Sequence, residues 1–287
     1  MRILVTGANG QLGSEIRAIE CDYDDHQFFF YNSTEMDITD SFSVLNAFEK
    51  CNPEMVINCA AYTAVDKAED EPEEAFGVNA FGVKHLVHAC LQTGASLIHI
   101  STDYVFNGKN HRPYVESDNV DPIGVYGKSK RAGEEAILDS NISGLIIRTS
   151  WVYSQYGSNF VKTMLRLGKE HDRLNVIFDQ VGTPTNAMDL AQAIMAAIDQ
   201  KEKWNGNREI FHFSNEGVCS WFDFAFAIFE ISGINCKVNP ILTKDYPTKA
   251  DRPHFSVLDK TAFKNRFNLS VPFWKSSLSN SPVFFSL

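Results

Sequence analysis

Basic residues are in deficit in this chain of 287 residues. Lys and Arg number 26 against 36 Asp and Glu, a net charge of −10. No lysine- or arginine-rich run appears, which counts against a nucleic-acid partner. No run of about 18 apolar residues exists to span a membrane. The opening Met1-Arg2 leads straight into a strand-like run, with too short an apolar stretch for a secretion signal. Six cysteines are scattered without a C-x-x-C pair, and neither they nor the eight histidines adopt zinc-like spacing. No metal site is read from them, and several cysteines sit in apolar runs as small core residues. Internal repeats and low-complexity linkers are also missing. These absences describe a cytoplasmic, reduced protein whose partners are small molecules or a second copy of itself. What remains is ordinary globular composition, 44% hydrophobic and 22% charged, with length for one large domain or two small ones.

The first informative stretch is Ile3-Leu4-Val5, a short β-like run ending at Thr6-Gly7-Ala8-Asn9-Gly10-Gln11-Leu12-Gly13. Helical periodicity follows from Gln11 to Ile19. Strand, glycine turn and helix in that order form the context of a phosphate-binding loop. Gly7 permits the tight turn, Gly10 lets a pyrophosphate approach the backbone, and Gly13 lets the helix lie close to the strand. The spacing is G-x-x-G-x-x-G. A second strand, His26 to Tyr31, ends in Asn32-Ser33-Thr34, with no carboxylate before Glu35. A dinucleotide fold often places an acid there to hold the adenosine ribose. Its absence argues against strict NAD preference and leaves room for a 2′-phosphate. Asp40 or Thr39 is positioned to cap a helix from Ser41 to Lys50, while Asp37 and Ile38 are free to meet an adenine.

Tyr126 and Lys130 lie four positions apart in Tyr126-Gly127-Lys128-Ser129-Lys130. On a helix that spacing stacks them on one face. A free phenol has a pKa of about 10, and a fixed ammonium nearby is expected to draw it down towards the working range. Such a tyrosine exchanges a proton with a carbonyl or hydroxyl oxygen. The competing explanation is a surface helix, since Tyr-x-x-x-Lys is common by chance.

Between these motifs the β-α alternation continues. Met55 to Cys59 reads as a strand opening into Ala60-Ala61-Tyr62, small residues that let a ligand approach or simply pack tightly. A single long helix is expected from Glu73 to Thr93, with Ala75, Val78, Phe81, Leu86 and Ala89 on its apolar side and Asn79 making a buried hydrogen bond. Ser96 to Ser101 forms the next strand, and Ser101 to Tyr104 fall at its carboxyl end, where open α/β sheets bind ligands. Strands at Gly144 to Arg148 and Glu209 to Phe213 follow, with helices at Ser158 to His171, Asp189 to Asp199 and Trp221 to Ile231. The expected fold is α/β, a doubly wound parallel sheet with a smaller C-terminal lobe closing a cleft. Residues 1–150, joined by about 182–213, are assigned to the sheet, and 151–181 with 214–287 to the lobe.

Together these residues resemble the extended short-chain dehydrogenase/reductase family, a Rossmann-type fold. The glycine loop, Ala60-Ala61-Tyr62, Thr102 and the Tyr126/Lys130 pair carry the resemblance. More narrowly, Asp37-Ile38-Thr39-Asp40, Thr63 to Glu69, Ser101 to Phe106, Arg148 to Tyr153, and Arg252-Pro253 with Ser256 to Asp259 resemble its dTDP-4-dehydrorhamnose reductase branch. The resemblance implies reduction of the C4 ketone of dTDP-4-dehydro-L-rhamnose by NADPH or NADH, yielding a donor for cell-surface polysaccharide. It implies that Tyr126 donates the proton, Lys130 lowers its pKa and holds the nicotinamide ribose, and Thr102 bonds the carbonyl oxygen. Gly10, Gln11 and Leu12 then meet the pyrophosphate, Asp37 and Ile38 the adenine, and Val65, Asp103, Tyr104 and Trp151 the sugar. A homodimer is implied as well, and with it Mg2+ at a dimer contact with Glu15 as one ligand.

Two rival readings stand beside this one. Another nucleotide-sugar reductase or epimerase of the family shares the motifs, although an epimerase shows no net oxidation. A non-catalytic partner similar to the regulatory subunit of methionine adenosyltransferase shares the fold. Intact Thr102, Tyr126 and Lys130 favour an enzyme, because a scaffold has no need of a tuned phenol.

Overall fold

In the computed structural model residues 1–284 are described, so residues 285–287 of the expected lobe lie outside the described residues. Five strands, β1 (Arg2–Thr6), β2 (Gln27–Tyr31), β3 (Met55–Asn58), β4 (Ser96–Thr102) and β5 (Gly144–Thr149), join a sixth at Arg208–His212. They form one sheet in the order sixth strand, β5, β4, β3, β1, β2, and every pairing in it is parallel. Parallel sheets are covered on both faces, which explains the nearly continuous apolar strands. Successive residues supply opposite cores: Ile3 and Val5 pack with Leu12, Ile16 and the helix Ala187–Asp199. Leu4 packs instead with Val44 and Phe48 of the helix Ser41–Cys51 and Leu86 of the helix Val83–Thr93.

Local chemistry sets the element ends. Asp40 caps Ser41–Cys51 by accepting from Phe42 N at 2.9 Å, and Asn52 closes it at φ 42°. The long helix expected from Glu73 is interrupted: Pro72–Phe76 runs into a wide π turn, Gly77–Gly82, before Val83–Thr93. Phe81, expected on the apolar side, is 53% exposed. The wide turn rotates the face and brings Asn79 to the polypeptide leaving β3. There Asn79 Oδ1 accepts from Tyr62 N at 2.9 Å and Nδ2 donates to Tyr62 O at 3.0 Å.

A separate apolar cluster joins the helices Phe160–Glu170 and Trp221–Ser232 through Val161, Leu165, Phe224 and Ile228. The strand Arg173–Ile177 pairs here with Lys237–Ile241 and takes no part in the central sheet. Among the described residues no helix is long and apolar enough to cross a membrane, and all six cysteines are free.

Candidate active site

The glycine loop is built for close approach. Gly7 has φ +62°, and a Cβ there would lie 2.6 Å from Ala60 N. A Cβ on Gly13 would lie 2.5 Å from Gly7 O, so the helix Gln11–Ala18 seats directly on the turn. Gly10 caps that helix without a side chain, leaving its first amides to face an anion. Beside it opens a cavity of about 450 Å³ lined by Gly7, Gly10, Asp37, Ile38 and Ala60 to Tyr62. Asn32 also lines it and binds its own turn, its Oδ1 accepting from Thr34 N and Oγ1 at 2.9 and 2.7 Å. The Glu35 carboxylate is tied back to Asn32 N at 3.0 Å. A flat walled slot with open helix amides suits a dinucleotide.

A second cavity of about 610 Å³ shares Gly10, Cys59 and Ala61 with the first and continues past Gln11, Leu12 and Val65 to Thr102, Tyr126 and Trp151. Thr102 ends β4, and Asp103 and Tyr104 turn immediately after it. The helix Val125–Leu138 meets that turn so closely that a Cβ on Gly127 would lie 2.3 Å from Tyr104 O. The rings of Tyr104 and Tyr126 consequently meet edge to face at 5.4 Å. A carboxylate from elsewhere in the chain, Glu69, anchors the helix start by accepting from Val125 N at 2.8 Å.

Tyr126 and Lys130 are both buried, and desolvation is the first cause acting on each. Burial pushes the Tyr126 phenol up to about 12, with the Thr102 hydroxyl opposing the rise; Lys130 is not among the causes. Its ammonium instead donates to Ile100 O at 2.6 Å, and burial draws its pKa down to about 8. Behind it lies a network absent from the sequence reading. Thr6 Oγ1 donates to Asn58 Oδ1 at 2.6 Å, and Asn58 Nδ2 meets His99 Nδ1 at 3.0 Å. Because that amide donates, the proton of neutral His99 belongs on Nε2, which faces Lys130 Nζ at 3.4 Å. Burial and then Lys130 hold His99 well below the usual imidazole range. A polar residue inside the apolar run Leu97-Ile98-His99-Ile100 was the available signal.

Two further groups escaped the sequence reading. Glu134, one turn beyond Lys130, accepts from Arg148 Nε and Nη2 at 2.8 and 2.7 Å and from Ser101 Oγ at 2.6 Å. It thereby ties the helix to the ends of β4 and β5. Trp221 stacks on Trp151, so the expected sugar wall is two indoles thick. Asp103 is buried beside Thr102, whose Oγ1 donates to Asp103 Oδ1 at 3.1 Å, and desolvation raises its pKa to about 6. All the residues expected to act on the ketone, Thr102, Tyr126 and Lys130, line the one cleft, and so do Val65, Asp103, Tyr104 and Trp151.

Glu15 differs from expectation. It is 2% exposed and accepts from Ser154 Oγ at 2.6 Å, so it is an internal tether and Mg2+ at a surface contact is not supported. Among the described residues no group of three or more His, Cys, Asp or Glu could hold a metal ion.

Known proteins match this arrangement along the whole chain. The family model of the RmlD substrate binding domain matches residues 1–282. A dTDP-4-dehydrorhamnose reductase from Aggregatibacter actinomycetemcomitans is 40% identical, over 97% of this chain and 97% of its own. The crystal structure of a dTDP-4-dehydrorhamnose reductase from Clostridium acetobutylicum superposes with TM-score 0.94 at 42% identity, covering 100% of both chains. The Bacillus anthracis reductase, solved in complex with NADP, gives 0.93 at 37% identity, covering 100% of this chain and 99% of that one.

Proposed function

The chain belongs to the RmlD substrate binding domain family, and on that footing we propose that it is a dTDP-4-dehydrorhamnose reductase. It reduces the C4 ketone of dTDP-4-dehydro-L-rhamnose to dTDP-L-rhamnose with NADPH or NADH, in nucleotide-sugar biosynthesis for polysaccharide. The observation that carries this reading is the meeting of Thr102, Tyr126 and Lys130 in one cleft continuous with the glycine-loop slot.

When bound, the reduced nicotinamide supplies a hydride to the ketone carbon. Gly7, Gly10, Gln11, Leu12 and Gly13 would hold the pyrophosphate, Asp37 and Ile38 the adenine, and Ala60, Ala61 and Tyr62 the inner wall. Asn32 in place of an acid accommodates NADPH as well as NADH. Tyr126, with its pKa raised to about 12 by burial, stays protonated at neutral pH and is therefore a loaded acid for the developing alkoxide. Thr102 Oγ1 bonds that same oxygen, and Lys130 holds the ribose and offsets charge left on the phenol oxygen. Val65, Asp103, Tyr104 and Trp151 bound the sugar. The sheet, residues 1–150 with about 182–213, carries the cofactor, and the remainder supplies the substrate lobe. A homodimer in the cytoplasm is the expected setting.

The test is the loss of NADPH and NADH absorbance with dTDP-4-dehydro-L-rhamnose. Turnover is expected with the intact protein and a loss of about a hundredfold or more with Tyr126→Phe, the scale of one general acid. A folded, cofactor-binding protein that consumes neither cofactor would overturn the assignment.

A further inference from the structure

Behind Lys130 a row of polar side chains crosses the sheet. Thr6 of β1 stands in register with Asn58 of β3, and Asn58 with His99 of β4. All three are buried, as is Lys130. Buried polar groups are matched donor to acceptor, so each proton in the row can be placed.

The placement starts from a donor that cannot turn. Ala60 N–H reaches Thr6 Oγ1 at 3.1 Å and Asn58 Oδ1 at 3.2 Å. The Thr6 hydroxyl also donates to Asn58 Oδ1, at 2.6 Å. The Asn58 amide must therefore present Nδ2 to His99 Nδ1 at 3.0 Å. Neutral His99 then carries its proton on Nε2, 3.4 Å from Lys130 Nζ. A flipped ring would put carbon at both contacts. An ammonium has three donors and no acceptor, so it meets His99 Nε2–H proton to proton. A neutral amine accepts from Nε2–H and still donates to Ile100 O at 2.6 Å. The row is satisfied throughout only when Lys130 is uncharged.

We propose that Thr6, Asn58 and His99 form a tautomer lock that sets the pH at which Lys130 loses its charge, and with it the alkaline limit of the reduction. The inference rests on the reductase reading for the reaction concerned. Tyr126 becomes a phenolate when it gives up its proton, and only a charged Lys130 offsets that oxygen. His99 lines neither the glycine-loop slot nor the reacting cleft and acts through Lys130, which makes it a positioning residue.

The other titratable groups around Lys130 leave this contact in control. Burial keeps the Cys59 thiol after β3 protonated, its pKa pushed up to about 12, and Tyr126 is protonated for the same reason. Asp103 after β4 is tied to Thr102. Glu134 favours the charged lysine, but its carboxylate is already claimed by Arg148, Arg131 and Ser101. Ile100 O and His99 are the hydrogen-bond neighbours of Lys130 Nζ among the described residues.

The experiment compares the full chain with Asn58→Asp and Asn58→Ala. Nitrogen NMR of 15N-histidine protein reads the His99 tautomer. Carbon NMR of lysine labelled at Cε reads the Lys130 titration without cofactor or substrate. The parent is expected to show Nδ1 as the bare nitrogen and Nε2 as the protonated one. The carboxylate of Asn58→Asp takes the proton from Nδ1, so Nε2 becomes an acceptor for the ammonium. Asn58→Ala adds no charge and frees the ring to follow the lysine. In both variants the Lys130 titration should move up by about one pH unit or more. The alkaline fall of kcat/KM for the sugar ketone should move in the same direction. A bare Nε2 in the parent, or an unmoved Lys130 titration in both variants, would overturn the lock. So would a loss of activity equal at every pH, the mark of a merely structural row. A shifted Lys130 titration in a protein that reduces no sugar ketone keeps the lock and removes the reductase reading.

Discussion

The indoles of Trp151 and Trp221 lie face to face, 3.6 Å between ring centroids and 10° from parallel. Trp151 pays for this placement with φ +48°, a region bulky side chains rarely adopt. A Cβ on Gly182 would lie 2.8 Å from its Cε2, so the ring is held on a second side. Trp221, which itself lines the cleft that holds Thr102 and Tyr126, is thus the residue that positions Trp151 in its wall.

Removing Trp221 should therefore act through Trp151. Trp221→Ala is expected to lower kcat/KM for the sugar ketone by several-fold to about tenfold, matching an aromatic pair worth about 0.5–1.5 kcal/mol. Trp221→Phe should recover most of that loss, and NADPH affinity should not move. Equal losses in both variants would mean that stacking is not the cause.

Asp103 makes stability depend on pH. Desolvation raises its pKa from 3.8 to about 6, so the folded state binds the proton more tightly than the unfolded chain does. Its contribution is fully present below about 4 and is lost as pH rises through about 6. Relative to Asp103→Asn, the parent should lose up to about 3 kcal/mol over that window. Urea unfolding of both proteins at several pH values measures it, and a constant difference would refute the burial argument.

Glu134 and Arg148 are respectively 0% and 1% exposed, and Arg148 Nη1 has no partner even in the intact pair. Glu134→Gln should cost about 3–5 kcal/mol, because it strands a buried guanidinium. Replacing both, as Glu134→Leu with Arg148→Met, should recover part of the loss. Thermal or urea unfolding reads the difference, and an additive double variant would show that the ion pair is not the unit.

Two glycines with left-handed backbone separate strain from contact. Gly7 at φ +62° faces Ala60 N at 2.6 Å, whereas Gly94 at φ +77° has nothing within 4 Å of a built Cβ. Gly94→Ala should cost only backbone strain, about 1–2 kcal/mol, and leave NADPH binding intact. Gly7→Ala should cost more and weaken NADPH binding by at least about tenfold. Calorimetric titration of the two variants decides it; similar affinities would remove the loop from the cofactor site.

Much of the local order was legible along the chain. The glycine turn after β1, the caps and the β-α alternation depend on residues within a few positions of one another, and backbone sterics act over that distance. The Tyr126 and Lys130 pair was legible too, since helical spacing alone puts them on one face.

Their electrostatics were not. Sequence shows that an ammonium can stand near a phenol, but it does not show that Ile100 O captures Lys130 or that burial dominates Tyr126. Asn58 and His99, 41 positions apart, become partners only because β3 and β4 are neighbours in the sheet. The same holds for Asn79 gripping Tyr62 through a wide helical turn that periodicity reads as regular. From the sequence alone came the strand and helix order, the loop that suits a phosphate and the residues able to move a proton. Tertiary packing alone decided which of them share a desolvated cleft, because desolvation and hydrogen-bond capture depend on what the fold places within a few ångströms.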